Sequence, residues 1–338
     1  MAKIKLPKVL TPQKIKEDQI LDLNLRPKRL SEFIGQERLK KNLEIFIGAA
    51  KKRNEVIEHV LFSGGPGLGK TTLAFIIAEE LKTKIQVTSG PAIERAGDLA
   101  AILTNLSDGE ILFIDEIHRL NPLIEEVLYP AMESYTLHLV VGRGPMAETV
   151  KIDLPRFCLI GATTRPSLLT SPLRDRFGVI YHLDFYEENE IEKIIERSAR
   201  ILQIKIDQEA IKEIAKRARK TPRVANRLLK RVRDFAQVKD KEIIDKKVAK
   251  EALDLLEIDE FGLTPADRKL LKILLEKFDG GPTGLKTLAA ALGEEEETIE
   301  EIYEPYLMQI GFLDRTPRGR IITPAAKEYM GFKKSTLF

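Results

Sequence analysis

The sequence predicts an α/β domain built on a parallel sheet, followed by a helical domain and a C-terminal winged helix. Three observations support this fold class. From residue 59 to residue 164, short apolar strands alternate with helical segments, which is the order expected of a parallel sheet with helices on both faces. Residues 187–256 carry only helical periodicity. From Thr264 onward, three helical segments precede a short hairpin around RTPRGR, which is the order of a winged helix.

The composition is that of a globular protein with several compact units. The 338 residues are enough for two or three domains. Hydrophobic residues at 43% and charged residues at 32% exclude a disordered chain. The formal net charge is +3, so any contact with nucleic acid must come from a local cluster of cations. One cysteine, Cys158, and four scattered histidines predict neither a disulfide framework nor a zinc site.

The sequence also predicts where the chain resides and how it divides. It has no apolar targeting segment and no apolar run long enough to span a bilayer, so we expect a cytoplasmic protein with no membrane partner. The predicted segments are a flexible N-terminal segment at 1–24, a large α/β domain at 25–186, a small helical domain at 187–257 and a winged-helix domain at 258–338. Around residues 136–150, apolar and polar positions alternate about a Gly-rich tip, which predicts an inserted β-hairpin.

A glycine-rich loop lies between the first strand and the helix that follows it. Residues 64–71 read GGPGLGKT and match the phosphate-binding pattern G-x-x-x-x-G-K-[ST]. The backbone N–H groups of the loop would turn toward phosphate oxygens, Lys70 would supply charge at the β and γ positions, and Thr71 would ligate Mg²⁺. A turn that only caps a helix needs no Lys-Thr pair, so the motif predicts ATP and Mg²⁺ as cofactors. The ATP-binding residues predicted on this loop are Gly67, Gly69, Lys70, Thr71 and Thr72.

Two acidic residues end a later strand. The apolar run ILFI precedes Asp115 and Glu116, so both carboxylates leave the strand at its C-terminal end, where ligand-binding loops gather in open α/β sheets. Asp115 is suited to contact Mg²⁺, and Glu116 to polarise the attacking water. The pair could also be a solvated strand end, but the phosphate-binding loop upstream favours catalysis. His118 follows on the helical side and is assigned no chemistry.

In their order, these motifs resemble the AAA+ ATPases, and closely the RuvB family of Holliday-junction branch-migration motors. The matching segments include LRPKRLSEFIGQE, GLGKTTLA, ILFIDEIHRLNP, LIGATTRP, SPLRDRFG, TPRVANRLLKRVRDFA, GGPTGL and GFLDRTPRGR. The resemblance covers nearly all of the chain and implies an AAA+ P-loop ATPase domain, a helical lid domain and a winged-helix DNA-binding domain. It further implies a homohexamer that acts on double-stranded DNA at Holliday junctions with RuvA and, as a further candidate, RuvC. Two positions depart from the family pattern: Gly65 replaces a proline, and Lys220 replaces a glycine.

The resemblance also assigns catalytic residues beyond the loop. Thr164 would be the first sensor of the γ-phosphate, with Thr163 as the alternative, and Arg223 would be the second sensor. Arg176 would be an arginine finger that reaches the nucleotide of a neighbouring subunit. The alternative for Arg176 is an ion pair within the chain, with Asp175 or another acid. The predicted catalytic residues are therefore Glu116, Thr164, Arg176 and Arg223.

Further nucleotide contacts follow from the same resemblance. Leu25 and Arg26 on the N-terminal segment and Tyr186 at the domain junction would contact the base and ribose. Glu133 and Tyr135 are carried over from the family as additional contacts. On the sequence alone, each of these five residues could equally be a packing or surface residue. Arg176 and Arg223 complete the predicted ATP-binding set.

The winged helix carries its positive charge on the hairpin. The third helix, which a standard winged helix places in the major groove, reads EEEETIEEIYEPY and would be repelled by phosphates. The hairpin that follows carries Arg315, Arg318 and Arg320 with no acid between Arg315 and Arg320. We expect this wing to contact the DNA backbone, with a salt slope of about 0.9 per neutralised phosphate. A solvated turn is the alternative, because Arg, Pro and Gly are common in turns.

The inserted hairpin offers a second candidate surface. Its apolar residues could form an exposed tip that docks a partner, or they could pack inward, and the pattern alone leaves both open. The resemblance favours docking of RuvA. The residues concerned are Leu137, Leu139, Val140, Val141, Met146 and Val150.

Together these observations predict an ATP-driven ring motor that branch-migrates Holliday junctions during homologous recombination and DNA repair. A non-motor nucleotide switch, such as a clamp-loader-like or regulatory ATPase, is the first rival. Glu116 and Arg176 count against it, because a pure switch could dispense with either residue. A winged-helix transcription factor that reads sequence is the second rival, and the acidic third helix counts against that.

Overall fold

The computed structural model of the chain describes residues 24–141 and 148–331, without the side chains of residues 139–141 and 148. The described residues divide into two compact units, one at residues 26–185 and the other at residues 186–331 together with Asn24 and Leu25. Most of the predicted N-terminal segment and the tip of the inserted hairpin therefore lie outside the described residues. Within the described ranges, no helix is long and apolar enough to cross a membrane.

The first unit contains a five-stranded parallel sheet and a two-stranded hairpin. Its strands are β1 (Val60–Gly64), β2 (Ile85–Ser89), β3 (Ile111–Asp115), β4 (Thr136–Val141), β5 (Glu148–Asp153), β6 (Cys158–Thr163) and β7 (Val179–Leu183). The parallel sheet has the order β2-β3-β6-β1-β7. Strands β1 and β6 are buried along their whole length, which explains their continuous apolar sequences.

In the described part of this unit, five α-helices accompany the sheet. They are α1 (Glu37–Arg53), α2 (Lys70–Leu81), α3 (Ala96–Thr104), α4 (Pro122–Ser134) and α5 (Ser171–Asp175). The starts of α4 and α5 follow from local sequence, because the side chains of Asn121 and Thr170 accept hydrogen bonds from the backbone of their helices. A proline stands at the first or second position of both helices, where its missing N–H costs no helical bond.

The two edges of the parallel sheet are chemically different. Gly64 and Asp115 end strands at one edge, which we call the carboxyl edge, and His59 and Phe157 precede strands at the opposite amino edge. The Nδ1 atom of His59 accepts from the backbone of Leu159 at 2.9 Å, and its Nε2 atom faces the Met132 carbonyl at 3.0 Å. Burial lowers the pKa of His59, in keeping with a neutral ring that donates to this carbonyl. Helix α4 therefore ends at the amino edge.

The inserted hairpin forms as the sequence predicts. Strands β4 and β5 pair antiparallel, from Thr136 opposite Asp153 to Val141 opposite Glu148. Leu137 is fully buried in the core of the first unit, so at this position the inward alternative is correct. Val150 is exposed. The side chains of Leu139, Val140 and Val141, and the whole of Met146, lie outside the described residues.

Four helices form the first half of the second unit. They are α6 (Glu188–Ile201), α7 (Gln208–Lys216), α8 (Pro222–Val238) and α9 (Lys246–Leu255). The caps are again local: Asp207, Thr221 and Asp245 each accept a hydrogen bond from the first turn of the helix that follows. One apolar stripe of each helix is buried, which is the packing that the helical periodicity predicts.

The winged helix follows within the same unit. It contains α10 (Pro265–Phe278), α11 (Leu285–Leu292), a third helix at residues 296–309 and α12 (Pro324–Tyr329), with the wing formed by β8 (Leu313–Thr316) and β9 (Gly319–Ile322). The middle of the third helix, Ile299–Tyr303, is a π-helix. Pro305 follows it, and a proline inside a helix lacks an N–H and clashes with the preceding turn, which accounts for the wider winding there.

A buried ion pair joins the helical half of this unit to the winged helix. Arg219, just after α7, contacts Asp267 at 3.1 Å and donates to the Ile302 carbonyl at 3.2 Å. Its guanidinium also stacks on an aromatic ring, with its carbon 4.6 Å from the centre of Tyr306. Asp267 is fully buried. A buried charge that lost this partner would be costly, so the contact holds the two parts of the unit together.

The departure at Lys220 lies beside this ion pair. Lys220 has a φ of 53°, in the left-handed region where a side chain is disfavoured and glycine is not. The glycine of the family pattern would therefore relieve backbone strain at this position. The backbone carbonyl of Lys220 accepts a hydrogen bond from the backbone N–H of Tyr186 at 3.0 Å.

Candidate functional site

The phosphate-binding loop lies at the carboxyl edge, between β1 and α2. Gly64, Gly67 and Gly69 have φ values of 136°, 82° and 111°, which side chains rarely adopt. A Cβ on Gly64 would also lie 2.5 Å from the Leu183 carbonyl oxygen. Gly65 has no such constraint, since a Cβ there would meet its nearest neighbour at 3.5 Å, an ordinary contact distance.

Lys70 begins α2 with its ammonium group directed back to the loop. Its Nζ atom donates to the carbonyls of Gly64 at 2.6 Å and Gly65 at 2.8 Å. The side chain is buried, and its positive charge lies where the loop carbonyls meet the N-terminal end of the helix. Thr72 follows in the first turn and is partly buried.

The acidic residues join this loop through Thr71. The Thr71 hydroxyl donates to Asp115 at 3.4 Å across the ends of α2 and β3. The backbone N–H of Glu116 donates to the other carboxylate oxygen of Asp115 at 3.1 Å. The structure therefore brings together the residues predicted for the metal and for activation of water.

Glu116 is held by the end of β6. The Thr164 hydroxyl donates to Glu116 Oε2 at 3.1 Å. The fully buried Thr163 instead contacts His118 Nδ1 at 3.0 Å and accepts from the Arg165 backbone at 3.0 Å. Of the two threonines, Thr164 is therefore the one whose hydroxyl donates to the Glu116 carboxylate. His118 also lies 3.3 Å from Glu116 Oε2, a contact that sequence reasoning did not assign.

Gly90 is a further residue of this site that the sequence did not reveal. It follows β2, whose last residue, Ser89, lies opposite Asp115 in the sheet. A Cβ at Gly90 would collide with the backbone carbonyl of Glu116. Glu116 itself has a φ of 48°, a strained conformation of the kind that persists at functional sites when its surroundings enforce it. The absence of a side chain at Gly90 makes this conformation possible.

Arg176 lies at the amino edge, away from the phosphate-binding loop. The backbone of Gly178, two residues later, donates to the His59 carbonyl before β1. Arg176 pairs with Glu133 at 2.8 Å and donates to the Pro172 carbonyl at 2.7 Å. An ion pair within the chain is thus present, although its acid is Glu133 and not Asp175.

Tyr135 lies at the same edge. Its ring makes an edge contact with Phe157 at 5.9 Å between centroids, and its carbonyl accepts from Leu154 at 2.7 Å. Burial raises the pKa of the Tyr135 phenol. Because strand β1 spans roughly 15 Å, neither Tyr135 nor Glu133 is near the phosphate-binding loop of the same chain.

The remaining predicted nucleotide contacts are divided between the two units. Arg26, in the first unit, stacks on Phe75 of α2 at 4.5 Å, one turn beyond Thr71. Leu25 and Tyr186 are buried in the second unit, although the predicted division placed them in the α/β domain. Arg223 lies in the first turn of α8 and is exposed.

Of the three wing arginines predicted to contact DNA, Arg320 is not exposed. Arg320 is buried, with Nε at 2.5 Å from one oxygen of Glu304 and Nη2 at 3.1 Å from Glu300. Burial alone would lower the pKa of Arg320, but the hydrogen bonds and charges of these two glutamates raise it. Arg315 also contacts Glu300, at 3.1 Å, but is largely exposed, as is Arg318. Arg320 is therefore buried against the acidic helix, and the DNA contact predicted for it would require it to leave Glu300 and Glu304.

This arrangement predicts that Arg320 contributes to the stability of the winged helix, whereas Arg315 and Arg318 contribute to DNA binding. Arg320→Ala should destabilise the winged helix by about 3–5 kcal/mol, because Glu304 would stay buried without its partner. Replacing both residues, as Arg320→Met with Glu304→Leu, should restore most of that stability. Hydrogen exchange of residues 265–309 in the full chain measures both effects.

Arg315→Ala combined with Arg318→Ala should leave that exchange unchanged and reduce the salt slope of duplex binding by about 1.8. A double variant of Arg320 and Glu304 that folds normally but loses duplex affinity would show that Arg320 does contact DNA. An unchanged salt slope in the Arg315 and Arg318 variant would remove the wing from the interface.

Comparison with known proteins identifies the family. Residues 25–183 match the model of the P-loop domain of the Holliday junction DNA helicase RuvB, residues 186–259 match the RuvB AAA lid domain, and residues 260–331 match the RuvB C-terminal winged-helix domain. The chain belongs to the RuvB family. The RuvB-family assignment agrees with the predicted α/β fold class, AAA+ domain, lid and winged helix, which are thereby confirmed.

Solved structures of RuvB from Thermotoga maritima support the same assignment. One is described as the Holliday junction branch migration motor, and it is 51% identical to this chain with a TM-score of 0.85 over 92% of this chain and 99% of that chain. An arginine-to-alanine variant gives a TM-score of 0.85 and a proline-to-glycine variant one of 0.86, each at 51% identity over 91% of this chain and 99% of that chain. As a RuvB-family member with an intact P-loop, this chain is an ATPase.

Proposed function

We propose that this chain is an ATP-driven DNA motor that branch-migrates Holliday junctions during homologous recombination and DNA repair. It would act as a homohexameric ring together with RuvA. The family assignment supports the ATPase and branch-migration activities, and the placement of site residues in the first unit supports the ring.

The proposal of a ring rests on where the site residues lie in the sheet. The phosphate-binding loop, Asp115 and Glu116 lie at the carboxyl edge of the sheet, whereas Arg176 lies at the amino edge. The proposed catalytic groups of one chain therefore lie at opposite edges of its parallel sheet. Arg176 can therefore stabilise transferring phosphate charge only at the site of another subunit, which a ring of identical chains provides.

The residues at the carboxyl edge fit ATP with Mg²⁺. The positive φ values of the loop glycines turn its backbone toward one side, and the Lys70 ammonium is already directed at the loop. The described residues gather no group of three His, Cys, Asp or Glu side chains that could hold a metal. Thr71 and Asp115, which are in contact, would hold Mg²⁺ together with phosphate oxygens, which is how this ion is commonly bound. When bound, Mg²⁺ would neutralise charge on the β and γ oxygens.

The protein groups would then divide the work of hydrolysis. Glu116 would orient and polarise the attacking water, and Thr164 would hold the Glu116 carboxylate and respond to the γ-phosphate. Arg26, Leu25 and Tyr186 would contact the base and ribose, as would Glu133 and Tyr135 from a neighbouring subunit. Arg223 would transmit the presence of the γ-phosphate to the lid.

The winged helix would hold the duplex by its backbone. Arg315 and Arg318 remain exposed at the wing, and contacts to phosphates carry no sequence information, which suits a motor that moves along any sequence. The hairpin formed by β4 and β5 would dock RuvA through its apolar tip, and RuvC is a further candidate partner. The protein would act on chromosomal DNA in the cytoplasm.

Branch migration of a synthetic four-way junction tests the proposal. The chain with RuvA, ATP and Mg²⁺ should convert the junction to two duplexes, and duplex DNA should raise its ATP turnover. Lys70→Ala is the matched control, because it removes the loop ammonium and should abolish both activities. DNA-stimulated turnover without any junction conversion in the presence of RuvA would favour the nucleotide switch instead.

A further inference from the structure

The surroundings of Arg176 form an ordered support at the amino edge of the first unit. The guanidinium carbon of Arg176 lies 4.4 Å from the centre of the Tyr129 ring. Its two terminal nitrogens are bound by the Pro172 carbonyl and the Glu133 carboxylate. Three different groups thus fix the direction of one arginine side chain.

The Tyr129 side chain is held in turn by Glu125 and Thr170. Glu125 is buried, and its Oε2 atom accepts from the Thr170 hydroxyl at 2.5 Å. The Tyr129 hydroxyl lies 2.9 Å from the Thr170 hydroxyl and 3.3 Å from the same Glu125 oxygen. Because Thr170 donates its one proton to Glu125, the Tyr129 hydroxyl is the donor in both of its contacts, to Thr170 and to Glu125. The ring under Arg176 is therefore held in one orientation.

The support joins two elements of the fold. Glu125, Tyr129 and Glu133 stand four residues apart on α4, so they share one face of that helix. Thr170 caps α5 and Pro172 lies in its first turn, and Arg176 follows its end. A buried carboxylate without hydrogen bonds would destabilise the fold, so the hydrogen bonds to Glu125 stabilise this arrangement.

We propose that Tyr129 is a positioning residue for catalysis in the neighbouring subunit. Its ring, backed by Glu125 and Thr170, holds Arg176 in the direction from which it reaches the neighbour's nucleotide. A free arginine has many rotamers, and electrostatic stabilisation is strongest when the charge is oriented before the reaction. This inference rests on the proposed action of Arg176 between subunits.

The first test compares two replacements of Tyr129. Tyr129→Leu removes the ring face and should lower kcat about tenfold with unchanged ATP affinity. Tyr129→Phe keeps the ring, loses the hydroxyl and should stay within about threefold of the wild-type kcat. Tyr129→Met, an apolar residue of similar length without a ring face, replaces the leucine variant if the latter fails to fold, and should show the same loss. Full turnover in a folded ring-less variant would overturn the proposal.

Mixed rings separate positioning from a general structural defect. Glu116→Gln subunits lack the catalytic carboxylate but keep Arg176 and its support, whereas Tyr129→Leu subunits keep an intact phosphate-binding loop. In equal random mixtures, half of the Tyr129→Leu sites face a Glu116→Gln neighbour. Turnover per Tyr129→Leu subunit should therefore rise several-fold over that of Tyr129→Leu alone.

The mixture of Arg176→Ala with Glu116→Gln is the reference. If this reference regains turnover and the Tyr129→Leu mixture does not, Tyr129 acts within its own subunit and the present inference is wrong while the ring stands. If Arg176→Ala retains full turnover alone, the proposed action between subunits fails, and the inference fails with it.

Discussion

Arg176→Ala is expected to lower ATP turnover of the assembled protein on the order of 10³-fold or more, because an arginine finger neutralises charge that develops in the transition state. ATP binding should persist, since the phosphate-binding loop and Arg176 lie at opposite edges of the sheet. Steady-state turnover in the presence of duplex DNA, together with titration of a fluorescent ATP analogue, measures both quantities.

Arg174→Ala is the matched control for this experiment. Arg174 lies two residues earlier and is partly buried, but it lacks the contacts to Glu133 and Tyr129 that Arg176 makes. We expect a much smaller loss for Arg174→Ala. A larger loss for Arg174→Ala than for Arg176→Ala would transfer the finger assignment to Arg174.

Glu116→Gln is expected to lower turnover by about 10²–10⁴-fold, the usual contribution of a general base. The amide can still accept from Thr164, so the local structure and ATP binding should remain. The expected product is a protein that binds ATP and assembles but hydrolyses it very slowly, as measured by single-turnover kinetics.

Glu110→Gln serves as the control, because Glu110 precedes β3 at the amino edge and contacts Lys84 at 3.9 Å. Its loss should leave turnover near that of the wild type. If Glu116→Gln kept more than a tenth of wild-type turnover, another group would have to activate the water, and His118, 3.3 Å from Glu116, would be the first to replace.

The catalytic centre could be predicted because its residues lie in short motifs with local geometry. The loop glycines, Lys70 and Thr71 belong to one strand–turn–helix unit, so their order along the chain also gives their arrangement in space. Asp115 follows from the end of an apolar strand. The hairpin likewise follows from alternation about a Gly-rich tip.

Contacts between distant segments could not be predicted in this way. Arg320 belongs to a compact cationic cluster in the sequence, but the register of the wing against the third helix places it on Glu304, sixteen residues away. Gly90 matters only because β2 and β3 are neighbours in the sheet. For Tyr129, a signal was present in the four-residue spacing of Glu125, Tyr129 and Glu133, but its meaning required the position of Arg176.

The ion pair between Arg219 and Asp267 links the end of α7 to the winged helix. Because separating the pair would leave Asp267 buried without its partner, we expect a rotation of α7 to be passed on to the winged helix. The four helices and the winged helix would then move together during the ATPase cycle. Asp267→Asn, which removes the negative charge from this link, should therefore lower the amount of junction converted per ATP hydrolysed and leave the rate of hydrolysis near that of the wild type.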